Sequence, residues 1–134
     1  MAKIKIDTEL KKIYATHALK WCMSNLGINK RKKSQPKISV RVRFKSAEEK
    51  TYNGSYYDNE NRIIVYDLNC TSLEDVVSTV IHEYTHYLQP MKKYWEYFET
   101  YYYSNHPFEI EARKNEEKYT KKCLRSIKKL IYNF

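Results

Sequence analysis

Apolar residues recur three and four positions apart in three parts of the chain, which is the spacing of a helix with one buried face. A fourth, aromatic-rich segment is also predicted to be helical. Asp7 or Thr8 can cap the first helix, and Gly27 can end it. Pro90 stops the second helix, and Pro107 suits the first position of the last. The predicted helices cover residues 7–26, 72–88, 92–103 and 107 onward.

Between the first two helices the pattern changes to that of strands. Residues 38–44 alternate apolar and polar side chains, as in a half-buried strand. Residues 52–57 and 62–66 form a strand pair joined by the turn-like residues 58–61, and the second of these strands is rich in β-branched and aromatic residues. Helices and strands together predict an α+β fold, in which an N-terminal helix precedes a small, three-stranded, mostly antiparallel sheet and C-terminal helices follow.

Length and charge narrow the possible classes of protein. The 134 residues suit one domain spanning 1–134. With 25 lysines and arginines against 16 acidic residues, the net charge is +9, which favours nucleic acid or an acidic protein surface as a partner. The charge is spread along the chain, and it includes a basic loop at 29–37 and lysines near the C-terminus. The chain has 2 glycines, which argues against a glycine-rich phosphate-binding loop.

The cysteines and the apolar runs indicate the cellular compartment in which the protein is expected. Cys22, Cys70 and Cys123 are far apart and odd in number, so we expect buried thiols rather than disulfides. The first residues lack the apolar core of a signal peptide, and no apolar run has the length of a membrane span. A soluble, cytoplasmic protein without a membrane partner is therefore expected.

The second predicted helix carries a pattern typical of zinc sites, His82-Glu83-Tyr84-Thr85-His86. A helix turns by about 100° per residue, so His82 and His86 project from one face and can share a metal ion. Glu83 is rotated one step around the helix, where it can reach a water molecule beside the metal. The alternative is two ordinary histidines on the surface or in the core. The pattern predicts one Zn²⁺ ion per chain, with Glu83 as the catalytic residue.

A catalytic zinc needs three protein ligands and one open position. Cysteine is an unlikely source because none lies near His82 and His86 in sequence. The segment 106–113, His-Pro-Phe-Glu-Ile-Glu-Ala-Arg, starts a new helix after enough chain to return across the second one, so it is favoured over residues 96 and 99. The candidates for the third ligand are Glu96, Glu99, His106, Glu109 and Glu111.

The helix with the two histidines, followed about 20 residues later by segment 106–113, resembles the gluzincin-type zincin metallopeptidases. The chain also resembles small phage-encoded peptidases and the ImmA/IrrE-like group. The motifs that carry this resemblance cover about 20 residues. In those proteins the ligand glutamate precedes a small residue by three, which implies Glu109 here, with Ala112 following. Glu111 is the alternative. Gluzincins often have an acidic or amide residue four positions after the ligand, where this chain has Arg113; Glu111 would have Asn115 there.

The resemblance implies a minimal zincin-like domain and a function. It implies metal ligands His82, His86 and Glu109, and hydrolysis of a protein or peptide substrate by metal-activated water, with Glu83 as the general base. Strand 62–66 would be the edge strand beside the histidine helix, where it could pair with substrate. The candidates that could donate a hydrogen bond to the oxyanion are His106 and residues 101–103. Two alternatives stay open, a basic nucleic-acid-binding module using residues 31–33 and the C-terminal lysines, and a zincin-like domain that binds metal or a partner without turnover.

Overall fold

The predicted helices form, and most begin or end at the predicted capping residues. A computed structural model describes residues 7–32 and 34–132 of the chain. Its helices are α1 (Thr8–Leu26), α2 (Leu73–Leu88), α3 (Met91–Thr100) and α4 (Pro107–Tyr132), and its strands are β1 (Lys37–Arg41), β2 (Gly54–Tyr57) and β3 (Arg62–Tyr66). The protein is α+β, as predicted. No helix among the described residues is long and apolar enough to cross a membrane.

Side-chain caps fix where the first two helices start. The Asp7 carboxylate accepts a hydrogen bond from the Leu10 amide at 2.8 Å, and α1 ends at Gly27, whose φ of 90° favours glycine. Ser72 accepts from the Asp75 amide at 3.0 Å, and the Asp75 carboxylate accepts in return from the backbone just before the cap. This reciprocal arrangement sets the start of α2 and hence the position of its histidines.

The sheet differs from the prediction in its strand order, which is β1-β3-β2. β3 pairs parallel with β1 and antiparallel with β2, so the sheet is mixed. The prediction that residues 62–66 form the edge strand is wrong, because β3 is the central strand and β1 and β2 are the edges. Ile63, Ile64, Val65 and Tyr66 are all fully buried, and a strand that is apolar on both faces belongs in the middle of a sheet. β1 is also shorter than predicted and ends at Arg41.

The core lies between one face of the sheet and helices α1, α2 and α4. Ile63 and Val65 of β3 contribute to the same buried cluster as the apolar side of α2. All three cysteines are buried free thiols, as expected. On α4, Ala112, Cys123 and Ile127 are buried, whereas Leu130 is 68% exposed.

The third helix is shorter than predicted and packs loosely. α3 ends at Thr100, and residues Tyr103–Asn105 form a separate short 3₁₀ turn before α4. Every residue of α3 keeps part of its side chain exposed. Trp95 and Phe98 are 59% and 51% exposed. α3 is therefore attached through a few aromatic contacts rather than through a buried stripe.

Edge strand β2 approaches α2 so closely that one position requires glycine. A Cβ added to Gly54 would overlap Thr79 Cγ2 and lie 2.8 Å from the Ile64 carbonyl oxygen. The Glu83 side chain would be 3.5 Å away. Because glycine has no side chain, the edge of the sheet at Gly54 can lie next to Glu83.

We expect Gly54→Ala to destabilise the fold by about 1–3 kcal/mol, because the added methyl group meets packed atoms. An ordinary strand glycine would instead gain roughly 0.5–1 kcal/mol on this substitution. Urea unfolding of the wild type and the variant measures the difference. Thr79→Ser removes one of the overlapping groups, so Gly54→Ala should cost less in that background. Equal or higher stability of Gly54→Ala would contradict the close approach.

Candidate metal centre

His82 and His86 lie one turn apart on α2, with their imidazole rings side by side. The ring centroids are 4.9 Å apart. Both side chains are largely buried, at 14% and 7% exposure, which excludes the alternative of two surface histidines. The cap at Ser72 and the apolar stripe of α2 turn this face of the helix toward the start of α4.

Glu109, in the first turn of α4, lies across from both histidines. Its Oε2 is 3.2 Å from His82 Nε2, and its Oε1 is 2.5 Å from His86 Nε2. The side chain is 2% exposed. Two imidazole nitrogens and one carboxylate therefore converge on a single point between α2 and α4.

The other candidates for a third ligand lie elsewhere. Glu111 is exposed and accepts a hydrogen bond from Gln89 at 3.1 Å. His106 is buried, but its Nδ1 accepts from the Phe108 amide at 3.1 Å and its Nε2 donates to the Tyr94 carbonyl at 2.9 Å. Both of its nitrogens are thus used to cap α4 and hold α3. Glu96 and Glu99 are on the exposed side of α3.

Two residues that were not identified from the sequence contact the Nδ1 atoms of the imidazole rings, on the side away from Glu109. The Gln89 side-chain oxygen is 2.7 Å from His86 Nδ1. The Gln89 amide nitrogen donates to the Phe108 carbonyl at 3.0 Å and to Glu111, so its oxygen must face the histidine. That oxygen can only accept, which places a proton on His86 Nδ1 and leaves Nε2 directed at Glu109.

Glu116 has the corresponding role at the other ring. Its carboxylate makes an ion-pair contact with His82 Nδ1, although the two groups are not aligned as a hydrogen bond. Glu116 follows Glu109 by seven residues, two helical turns, and this spacing was a usable signal in the sequence. Arg113, the residue that departs from the gluzincin pattern, points away and donates to the Ser104 carbonyl at 2.6 Å. Asn115 donates to Thr85 at 3.0 Å.

The electrostatics of the three converging groups favour a cation between them. Burial alone would raise the pKa of Glu109, but hydrogen bonds from both histidines hold it well below its usual range. Burial would lower the pKa of His82, but the carboxylates of Glu109 and Glu116 raise it to about 10. Two nitrogen donors and one carboxylate form a ligand set that suits Zn²⁺, so the residues present fit that ion.

Glu83 lies beside this centre and has a different environment. Its carboxylate and the two histidines offer ligand atoms within 4.8 Å of one another, yet Glu109 contacts both ring Nε2 atoms. Glu83 is 7% exposed, and burial raises its pKa against the lowering effect of the histidines. A raised carboxylate pKa is suited to a group that accepts and returns a proton near neutral pH.

Two tyrosines surround Glu109 on the α3 side. The Tyr94 hydroxyl donates to Glu109 Oε1 at 3.1 Å, and its ring packs on His106 at a centroid distance of 4.3 Å. Tyr103 lies beside Glu83 at the cleft. Burial, followed by the Glu109 charge, raises the pKa of both phenols, so both stay protonated and able to donate.

The basic regions are separate from this centre. Lys32 forms an ion pair with Asp58 and lies 5.7 Å from the centre of the Tyr56 ring, so it is already engaged within the molecule. Lys33 lies outside the described residues. On α4, Lys121, Arg125 and Lys128 line a shallow groove of about 500 Å³.

Comparison of the chain with protein-family models, with curated proteins and with solved structures produced no match.

We expect Gln89→Met and Glu116→Gln each to weaken zinc binding by roughly 10- to 100-fold, because each variant removes a group that orients a ligand histidine. Competition with a chromophoric chelator measures the affinity. Asn115→Ala is the control, since Asn115 bonds Thr85 and neither histidine. Wild-type affinity in both variants would show that Gln89 and Glu116 do not support a metal ion.

Proposed function

We propose that this protein is a zinc-dependent metallopeptidase with a minimal zincin-like domain. The observation that carries the proposal is the position of Glu109, whose carboxylate oxygens contact the Nε2 atoms of both His82 and His86. His82, His86 and Glu109 are the proposed ligands of one Zn²⁺ ion. A zincin-like fold is part of the proposal, and it is supported by the α+β layout and by an edge strand beside the histidine helix.

The bound ion would supply Lewis acidity, which lowers the pKa of a water molecule and polarises the scissile carbonyl. Glu83 is the general base in this proposal. It accepts a proton as water attacks the peptide carbonyl carbon and returns a proton to the leaving amine nitrogen. Its burial beside the cluster and its raised pKa support this role.

Tyr103 is the proposed donor to the oxyanion. Among the candidates, both nitrogens of His106 are engaged. Tyr102 is 84% exposed. Tyr94 is engaged with Glu109 and holds that carboxylate in place. Tyr103 lines the cleft on both sides of Glu83 and its side chain is half exposed. Burial and the neighbouring Glu109 carboxylate raise the pKa of its phenol and keep it a donor. A donor aimed at the developing negative charge is typically worth 100- to 1000-fold in rate, by order of magnitude.

A set of conservative variants tests ligands and catalytic groups separately. After purification with Zn²⁺, we expect about one zinc in wild type, Glu83→Gln and Tyr103→Phe, since these substitutions spare the ligands. Glu109→Gln and His82→Ala should lose the metal. Glu111→Gln is the matched control and should keep it, because Glu111 is exposed and faces Gln89. Atomic absorption measures the stoichiometry.

The same variants are then assayed for hydrolysis of an unstructured protein substrate. Glu83→Gln should abolish cleavage while keeping zinc, and Tyr103→Phe should lower kcat about 100-fold or more. Tyr102→Phe is the control and should keep wild-type activity. Zinc in wild type without any hydrolysis would favour a metal-binding domain without turnover. Equal, negligible zinc in wild type, Glu83→Gln and His82→Ala would remove the peptidase proposal.

A further inference from the structure

The outer edge of β2 offers backbone groups to an extended peptide. The Asn53 carbonyl accepts from the Tyr66 amide at 2.9 Å, so it points inward to β3. In an antiparallel pair these groups alternate in direction. With Gly54 opposite Val65 and Tyr56 opposite Ile63, the N–H and C=O groups of Gly54 and Tyr56 point outward. No other strand among residues 7–32 and 34–132 pairs with this edge, which suits pairing with an added strand.

The cleft along this edge has two unlike halves, and the residues that line both are Tyr52, Gly54, Glu83 and Tyr103. The half on the His86 side has a volume of about 360 Å³. One of its walls is α3, which contributes Met91, Trp95 and Phe98. Trp95 and Phe98 are three residues apart on one helical face, and their ring centroids are 5.6 Å apart. More than half of each side chain is exposed, although the site beside them is buried.

The half on the His82 side has a volume of about 390 Å³ and a different chemistry. Its walls carry short hydroxyl and amide side chains, from Thr51, Asn53, Ser78 and Thr79. Glu116 also lines this half, but its carboxylate already contacts His82. These walls offer hydrogen-bond partners to a polar group and less apolar surface than the His86 side, although Tyr52 and Tyr103 line both halves.

We propose that the cleft selects a peptide segment with a large apolar or aromatic side chain on the His86 side of the scissile bond and a small or polar one on the His82 side. This proposal rests on the proposed peptidase function. An extended substrate paired with Gly54 and Tyr56 crosses from one half to the other beside Glu83. The residues flanking the scissile bond then meet the two different walls. Burial of a large side chain against Trp95 and Phe98 favours it over alanine by roughly 10- to 100-fold.

Ligand binding to Glu83→Gln protein tests this without turnover. The zinc content of the protein is measured first, because absence of zinc would contradict the proposed function itself. Phenylalanine hydroxamate and alanine hydroxamate are then titrated by calorimetry. We expect at least about tenfold tighter binding of the phenylalanine compound. Trp95→Ala and Phe98→Ala should each reduce this preference several-fold. Tyr102→Ala, an exposed tyrosine outside the cleft, should leave it unchanged.

Zinc-loaded protein that binds the two hydroxamates equally, or binds neither, would overturn the selectivity while leaving the metal centre intact. An unchanged preference for phenylalanine hydroxamate in both Trp95→Ala and Phe98→Ala would also contradict the proposed selectivity. Mass spectrometry of a peptide mixture cut by the wild type provides the second readout. Bonds flanked by one large apolar residue and one small or polar residue should predominate. Cleavage with charged residues on both sides of the bond would contradict the proposal.

Discussion

A buried carboxylate without a cation beside it is costly, and this constraint organises the region around Glu109. The side chain is 2% exposed, so its charge has lost most of its contact with water. Its compensation comes from the two histidines of α2 at 3.2 and 2.5 Å. A divalent metal ion in the same position would provide more positive charge than one shared proton, which is why this packing of α4 on α2 suits a metal centre.

The surrounding contacts keep the side chains of His82, His86 and Glu109 in place. Gln89 links the end of α2 to the start of α4 while it orients His86. His106 caps α4 and holds the α3 backbone, and Tyr94 reaches from α3 to Glu109. α3 thus owes its position to the residues around the site rather than to a core of its own. The same helix supplies the aromatic wall of the cleft.

Local signals in the sequence predicted the elements well but not their arrangement. Caps at Asp7 and Ser72, and the two prolines, locate the helices because capping depends on residues close in sequence. The strand order depends on which edges pair, and no local pattern encodes that. Residues 62–66 nevertheless carried a clue in the sequence, since the uninterrupted run Ile63-Ile64-Val65-Tyr66 indicates a strand covered on both faces. The spacing His82–His86 predicted the shared face, whereas the contact of Gln89 with His86 became apparent only once α2 and α4 were packed together.

X-ray absorption at the zinc edge of the loaded protein tests the central claim most directly, namely that His82, His86 and Glu109 form one metal centre. We expect about four nitrogen or oxygen neighbours of the zinc ion at about 2.0 Å. The outer shells should show two imidazoles in the wild type. A spectrum with sulfur at about 2.3 Å, or without imidazole scattering, would contradict the account.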